Sequence, residues 1–328
     1  MNKLLLLCGI SFLLSLISVF LIKKSLSQQL IDIPNERSSH TQPTPRGGGL
    51  GFIIAFAVTL ILSQLLNLNV INSQYSIPWL FLTPLIIIGI IDDWKTVPSS
   101  IRYLVQFIVS TLVVAYCGAF PFPFLTQLGT PGEFIASLLT IIGMTALINF
   151  YNFMDGLDGL VAGVTAIQLG FLAIWFNQPS LWLLVAALVG FLYWNWSPAK
   201  IFMGDVGSTI LGGIVAIAFL TNNTTPTSAW LAVTILYPLI GDAIYTLCRR
   251  LLQGENIFKA HRSHLYQRLQ QSGWPHTQVA STYMGMTLMI AISLYCFGIL
   301  GAISSGLSVL GAIACGEIYL KSKLSISP

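Results

Sequence analysis

Apolar residues of this chain are gathered into long runs, and short polar segments separate one run from the next. Most runs are about 15 to 24 residues long, which is the length that a helix needs to cross the hydrocarbon core of a bilayer. Eleven spans are predicted, near residues 4–22, 50–66, 77–91, 102–119, 132–150, 159–176, 180–196, 207–221, 229–248, 277–298 and 301–320. The pattern therefore predicts an all-α polytopic membrane protein with about eleven transmembrane helices.

The basic residues give these predicted helices an orientation. An odd number of spans places the two termini on opposite sides, and lysine and arginine favour the cytoplasmic side of short loops. Of the 15 basic residues, all but Lys3 fall in one set of alternate polar segments. We therefore expect an external N-terminus, a cytoplasmic C-terminus and a working face in the cytoplasm.

Composition excludes a separate soluble domain. The chain is 55% hydrophobic and 8% charged, with a mean hydropathy of +0.80. The longest polar stretches have about 27 residues, which is too few to enclose a hydrophobic core. Residues 1–328 are thus predicted to form one transmembrane domain whose active-site loops are 23–49, 92–101, 151–158, 195–208 and 249–276.

Acidic residues lie at the ends of several apolar runs. Asp92 and Asp93 directly follow the third run. Adjacent carboxylates at a membrane edge repel each other unless a cation lies near them, and ligation by oxygen alone suits Mg²⁺ better than zinc. The alternative is a pair of interfacial acids that merely marks the end of a helix.

Two further polar segments have a similar character. Asn152, Asp155 and Asp158 recur every third residue between two apolar runs, as either a binding site or a solvated turn. Asp205 lies between two glycines, and Ser208 is predicted to cap the following helix. Exposed amides at such a helix start favour anions, and a metal can bind beside them. The alternative is a helix cap without a ligand.

Basic and neutral donors occur on the same predicted face. Arg102 suits either a lipid phosphate or a substrate phosphate. His261, Arg262 and His264 suit a diphosphate or nucleotide better than a metal, because no third metal ligand lies nearby in the sequence. The alternative is a basic loop attracted to anionic lipid. The glycines at 47–49 allow a backbone to approach a phosphate. Together with the acids, these donors favour phosphoryl transfer.

Five of these segments, in order, resemble the WecA-, TagO- and MraY-like polyprenyl-phosphate N-acetylhexosamine-1-phosphate transferases. The matching positions are Pro34, Arg37, His40 and Pro45-Arg-Gly-Gly48; Asp92-Asp93; Asn152-Phe-Met-Asp-Gly-Leu-Asp-Gly159; Asn195, Pro198-Ala199 and Phe202-Met-Gly-Asp-Val-Gly-Ser208; and the histidine loop after Phe258. The resemblance covers essentially the whole chain. It implies transfer of HexNAc-1-phosphate from a UDP-sugar to polyprenyl (undecaprenyl) phosphate, with UMP as the second product.

The resemblance also implies roles for individual residues. Asp92, Asp93 and Asp205 are the expected catalytic residues, and Asp205, Asn152 and Asp93 are the expected ligands of Mg²⁺, or of Mn²⁺ in its place. The expected substrate-binding residues are Arg46, Arg102, Asn152, Asp155, Asp158, Asn195, His261, Arg262 and His264. The expected partners are UDP-HexNAc and the polyprenyl phosphate of the bacterial plasma membrane, and no nucleic acid is expected. The oligomeric state stays open, with a homodimer as one alternative.

The histidine loop departs from the family pattern. His261-Arg-Ser-His264 stands where WecA-like members have His-x-His-His, and it resembles more closely the WbpL-like branch that initiates O-antigen. The sugar therefore stays open.

Three other functions fit the sequence less well. A transporter needs acids near the membrane midplane, and only Asp242 lies deep in a run. A CDP-alcohol phosphatidyltransferase needs Ala-Arg where Ala162-Gly163 stands. An inactive scaffold of the same fold is not favoured, since every expected acid is present.

Overall fold

The computed structural model describes residues 2–26, 29–34, 39–40, 42–66, 77–222, 224–257 and 261–324. The helices are α1 Asn2–Leu26, α2 Gly49–Leu65, α3 Ile77–Leu80, α4 Thr83–Trp94, α5 Ser99–Cys117, α6 Pro123–Thr126, α7 Thr130–Met154, α8 Leu160–Trp175, α9 Leu181–Asn195, α10 Asp205–Leu220, α11 Pro226–Val233, α12 Tyr237–Leu252, α13 Leu265–Gln271, α14 His276–Phe297 and α15 Ile299–Leu324. A 3₁₀ turn, Thr234–Leu236, joins α11 to α12. Arg37 and Phe258, from the motifs above, lie outside the described residues.

Two short strands lie in the segment between α1 and α2, and we call its described residues, 29–34, 39–40 and 42–48, the first loop. β1, Ile31–Asp32, pairs antiparallel with β2, Thr44–Pro45, and Ile31 lies opposite Pro45. The amide of Phe202 donates to the carbonyl of Pro45 at 2.8 Å, so the pair is attached to the segment that precedes α10.

The structure confirms an all-α polytopic membrane protein. Within the described residues, seven helical segments are long and apolar enough to cross a membrane. They are Asn2–Leu26, Ile77–Trp94, Ser99–Cys117, Thr130–Met154, Pro226–Leu252, His276–Phe297 and Ile299–Lys323. The other four predicted spans coincide with the shorter apolar helices α2, α8, α9 and α10. The count of eleven crossings and the orientation stay predictions.

Helices α8 and α10 form the centre of the bundle. Nearly every residue of both helices is buried, on all sides. A helix that is apolar all round is covered by protein on every face, and its ends are then fixed by its neighbours. The polar residues at the starts of these two helices are consequently held on a rigid scaffold.

Small polar residues attach α1 to this centre. The hydroxyls of Ser11 and Ser15 donate to the carbonyls of Leu183 and Ala187 in α9, each at 2.7 Å. Such bonds stabilise helix pairs in a membrane, where water does not compete for them. The first apolar run is thus packed as a helix of the bundle.

The ninth predicted span is broken rather than continuous. It comprises α11, the 3₁₀ turn and α12, with Pro238 in the first turn of α12. Proline has no amide hydrogen to donate, so it suits the first turn of a helix, where that donor would have no partner within the helix. Asp242 follows one turn later.

Asp242, the acid that lies deepest in a predicted span, is buried and accepts several hydrogen bonds. It is 1% exposed. Its carboxylate accepts from the amides of Leu265 at 2.8 Å and Tyr266 at 3.0 Å, and from the hydroxyl of Tyr283 at 2.7 Å. These bonds tie α13 to α12 and α14. A carboxylate engaged in this way is not available to an ion that passes through the bundle.

We expect Asp242→Ala to lower the melting temperature of the purified protein markedly. The substitution removes the acceptor of two buried amides and of the hydroxyls of Thr246 and Tyr283, at about 1–3 kcal/mol for each group left unsatisfied. Thermal unfolding in detergent measures the effect. Tyr283→Phe removes one donor and should cost less, and Tyr295→Phe, on an exposed tyrosine, should cost nothing measurable. A melting temperature of Asp242→Ala equal to that of Tyr295→Phe would contradict this account.

Candidate active site

Four polar side chains converge where α4 and α7 end and α10 begins. Asp92 and Asp93 lie in the last turn of α4, Asn152 lies in the last turn of α7, and Asp205 is the first residue of α10. Positions separated by up to 112 residues in the chain are hydrogen-bonded here.

Asp205 is the centre of this group. Asn152 Nδ2 donates to its Oδ1 at 2.9 Å, and Arg102 Nη1 lies 3.3 Å from its Oδ2. Its amide donates to Asp93 Oδ1 at 3.0 Å. The backbone contact brings two carboxylate groups close together, and the side-chain contacts supply one neutral donor and one cation.

The approach of Asp93 to α10 requires a glycine at position 204. Gly204 has a φ of 79°, which side chains rarely allow, and a Cβ atom there would lie 2.5 Å from Asp93 Oδ2. The Gly204-Asp205 pair of the sequence motif thus has a direct structural reason.

Asp92 is held from both sides. Its Oδ1 accepts from the amide of Val97 at 2.6 Å, and its Oδ2 accepts from Arg102 Nη1 at 2.9 Å. Arg102 therefore bridges Asp92 and Asp205, although its side chain is still 35% exposed. Asp92 and Arg102, which the sequence analysis singled out, thus lie together beside Asp205.

A cavity of about 300 Å³ opens beside these groups. It is lined by Asp32, Ser39, His40, Arg46, Asp93, Asp155, Gly156, Leu157, Asp158, Asn195, Phe202, Met203, Gly204, Asp205, Gln267 and His276. Burial, together with the negative charges of Asp205, Asp93 and Asp158, holds the pKa of Asp155 well above its ordinary value. The crowded carboxylates make this cavity favourable for a cation.

The donor set fits a magnesium ion with open positions. Asp93 Oδ2 is buried and has no hydrogen-bond partner. Within the described part of the chain, no three His, Cys, Asp or Glu side chains are grouped closely enough to enclose a metal by themselves. Mg²⁺ commonly uses one or two carboxylates and completes its shell with water and substrate phosphate. Asp93, Asp205 and the side chain of Asn152 are the residues placed for this.

Asp158 and Asn195 line the cavity while they hold its walls. Asp158 Oδ2 accepts from the amide of Ala199 at 3.1 Å. Burial alone would raise the pKa of Asp158, but the hydrogen bond and charge of His276 hold that pKa below its ordinary value. Asn195 Oδ1 accepts from the amide of Gly159 at 3.0 Å. The loop after α7 and the loop after α9 are thereby joined.

The first loop supplies a separate wall of the cavity. Arg46 lines it and forms an ion pair with Asp32 at 2.8 Å. The amides of Gly48 and Gly49 donate to the carbonyls of Phe202 and Met203 at 2.9 and 2.8 Å. These two amides bind the protein's own backbone, instead of the phosphate that the glycine pattern allowed.

The predicted cap at Ser208 is wrong. Gly204 is the cap residue of α10, and no side chain bonds to the helix start from that position. Ser208 instead lies in the first turn, where its hydroxyl accepts from Asn152 Nδ2 at 3.1 Å. The sequence could not show this contact, because it depends on how α7 meets α10.

The residues of the histidine loop lie behind the cavity wall. His261, Arg262 and His264 do not line the cavity, whereas Gln267 does. His264 is buried, with Nδ1 3.7 Å from Asp242 Oδ1. Burial and nearby positive charges lower the pKa of His261 to about 4, so its ring is neutral near pH 7. Direct contact of these three side chains with substrate stays a prediction.

The sequence did not single out several residues that line the cavity. His276, Phe202 and Gln267 are the chief examples. Phe202 lay inside a quoted motif without an assigned role. His276 begins α14 directly after Pro275, and a single histidine at the start of an apolar run carries no pattern that would have distinguished it.

The part of the chain that contains these residues matches a known protein family. Residues 75–223 match the model of glycosyl transferase family 4, a range that includes Asp92, Asp93, Asn152 and Asp205. The first loop and the histidine loop lie outside that range.

Three curated relatives illustrate the similarity. A probable undecaprenyl-phosphate N-acetylglucosaminyl 1-phosphate transferase of Bacillus subtilis is 29% identical over 285 residues, 81% of this chain and 78% of the relative. A decaprenyl-phosphate N-acetylglucosaminephosphotransferase of Mycolicibacterium smegmatis is 30% identical over 282 residues, 74% of this chain and 69% of the relative. A phospho-N-acetylmuramoyl-pentapeptide-transferase of Staphylococcus carnosus is 27% identical over 73% of this chain and 80% of the relative.

The similarity to these relatives extends over about two thirds or more of each chain. This chain belongs to glycosyl transferase family 4, among the polyprenyl-phosphate N-acetylhexosamine-1-phosphate transferases.

Proposed function

We propose that the cavity beside Asp205 is the active site at which this chain transfers HexNAc-1-phosphate from a UDP-sugar to polyprenyl phosphate. The observation that carries this proposal is the group formed by Asp93, Asp205 and Asn152, with Asp93 Oδ2 buried and without a partner. It lies at the ends of membrane helices, where a lipid phosphate and a water-borne donor can meet.

The reaction forms one bond between phosphorus and oxygen and breaks another. An oxygen of the lipid phosphate attacks the phosphorus that carries the sugar, and the bridging oxygen leaves with UMP. Catalysis of such a transfer depends mainly on positioning and on neutralisation of negative charge. Bound Mg²⁺, held by Asp93, Asp205 and Asn152, would supply neutralisation on the diphosphate.

Arg102 is well placed to position the lipid phosphate. It bridges Asp92 and Asp205 and remains partly exposed. Its remaining donors can contact an anionic oxygen without breaking either ion pair, since a guanidinium carries five N–H groups. The acceptor would thus bind on the Arg102 side of Asp205.

We assign Asp92 an orienting role. A phosphate monoester has a second pKa of about 6 and is mostly dianionic near neutral pH, so removal of a proton is not essential to its attack. Both oxygens of Asp92 already accept hydrogen bonds, which fixes Arg102 and leaves little freedom for Asp92 to attack phosphorus itself. This supports direct attack by the lipid phosphate.

The donor cavity lies on the opposite side of Asp205, between the first loop and residues 155–158. We propose that this face is cytoplasmic, which agrees with the distribution of basic residues and with the source of nucleotide sugars. The sugar and the WbpL-like preference stay open, because the residues of the histidine loop do not line the cavity.

Purified protein in lipid nanodiscs should transfer label from a UDP-HexNAc to polyprenyl phosphate with release of UMP. A panel of radiolabelled UDP-N-acetylhexosamines, each with Mg²⁺ and then with excess EDTA, gives both the donor and the metal requirement. We expect EDTA to stop transfer and added Mg²⁺ to restore it. Absence of transfer from every donor by folded protein would reject the proposed activity.

Asp205→Asn should lower kcat by at least about a hundredfold, the upper range for loss of support at a metal site. The amide preserves the shape but removes the charge that balances Arg102 and a bound cation. Steady-state transfer at saturating donor measures the effect. Glu133→Gln, on an exposed acid in the first turn of α7, should retain the wild-type rate. A substantial residual rate of Asp205→Asn at ordinary Mg²⁺ would reject the role of Asp205.

Incubation with labelled donor in the absence of the lipid acceptor should leave no phosphorus on the protein. Direct attack needs the acceptor, so the donor should stay intact and no UMP should form. Mass spectrometry of peptides that contain Asp92 gives the readout. A HexNAc-phosphoryl group on Asp92 that forms without acceptor and decays when acceptor is added would overturn direct attack.

A further inference from the structure

Two side chains from separate parts of the chain hold Ser39 of the first loop. His276 Nε2 lies 3.0 Å from the carbonyl oxygen of Ser39. Arg262 Nη2 donates to the Ser39 hydroxyl at 3.1 Å and to Gln270 Oε1 at 2.8 Å. Ser39 is thus connected to the first residue of α14 and to the segment that precedes α13.

The second ring nitrogen of His276 contacts the donor cavity. Nδ1 lies 3.3 Å from Asp158 Oδ2, and the His276 side chain is 13% exposed. Nε2 is thus at hydrogen-bond distance from the Ser39 carbonyl, and Nδ1 is at ion-pair distance from the Asp158 carboxylate. One side chain consequently lies between the first loop and the loop after α7 and contacts both.

Ser39 is part of the cavity wall. Asp32, Ser39, His40 and Arg46 of the first loop all line it. The end of this loop near α2 is fixed by the backbone bonds to Phe202 and Met203. At its far side, the ring of His40 packs edge-on against Phe202, and Ser39 is held by the two side chains described above.

We propose that His276 is a positioning residue of the transferase, which together with Arg262 holds the first loop closed on the donor cavity through Ser39. The proposal rests on the assignment of this cavity to the nucleotide-sugar donor. The hydrogen bond and the ion pair of His276 go to Ser39 and Asp158, and neither goes to Asp93 or Asp205. Its loss is therefore expected to weaken donor binding rather than the chemical step.

The two arms of His276 can be separated by two substitutions. The amide nitrogen of asparagine lies near the position of Nδ1 and keeps the contact with Asp158, but it does not reach Ser39. The amide nitrogen of glutamine lies near the position of Nε2 and keeps the contact with Ser39. Ser39→Ala removes only the hydrogen bond from Arg262 to the Ser39 hydroxyl.

We expect His276→Asn to raise the KM for the UDP-sugar about tenfold, which corresponds to about 1.4 kcal/mol, while kcat stays within about twofold. His276→Gln should restore most of the donor affinity. Ser39→Ala should raise KM less, and the double variant His276→Asn/Ser39→Ala should depart from additivity, because both changes act on one attachment. Gln278→Asn, on an exposed neighbour in α14, is the matched control and should leave KM unchanged.

Hydrogen exchange gives a readout that does not depend on activity. In His276→Asn, peptides that cover residues 29–49 should exchange faster, while peptides from α8 and α10 should keep the wild-type rate. Unchanged exchange in this loop in both His276→Asn and the double variant would overturn the proposal, whatever the activity of the protein. A fall in kcat at unchanged KM would also overturn it, since His276 would then act in the chemical step. Faster exchange in a protein that transfers no sugar would support the attachment of the loop and reject only the assigned activity.

Discussion

The contact between Asp93 and the start of α10 is the constraint on which the site depends. The backbone amide of Asp205 donates to Asp93 Oδ1, and the absence of a side chain at Gly204 allows this approach. One oxygen of Asp93 is thereby fixed, while the other stays buried and unpaired. Because α10 is enclosed by protein along its length, the geometry is held by the whole bundle and not by a single loop. A pair of like charges in this position is costly unless a cation or a cationic side chain balances it.

The structure distributes basic side chains around Asp205 and along the wall of the cavity. Arg102 lies beside Asp205 and joins it to Asp92. In the cavity wall, Arg46 is paired with Asp32 of the first loop, and His276 lies beside Asp158. Each of these side chains therefore contacts a carboxylate, while Asp93 Oδ2 stays without a partner. Under the proposed function, this arrangement would leave Asp93 and Asp205 to the metal and to the substrate phosphates.

The later helices hold the walls of the site in place. Asp242 fixes α13 against α12 and α14, and the hydroxyl of Tyr266 in α13 donates to the carbonyl of Phe153 at the end of α7. Arg249 and Arg268 both pair with Glu317 of α15. The histidine loop is consequently anchored on both sides, and its contacts with Ser39 pass this rigidity on to the first loop.

The sequence by itself determined the class of the fold and showed which polar segments separate its helices. Apolar runs of membrane-crossing length predict helices, because a backbone in lipid must satisfy its own hydrogen bonds. Asp92, Asp93, Asn152 and Asp205 were recognisable because acids are rare in such a chain and lie at the ends of its runs. Only the tertiary structure decided which of them meet, since each contact joins segments far apart in sequence. It also decided the parts of Ser208, His264 and His276, whose partners belong to other helices. Local periodicity describes one helix at a time, and it carries no information about how two helix ends approach each other.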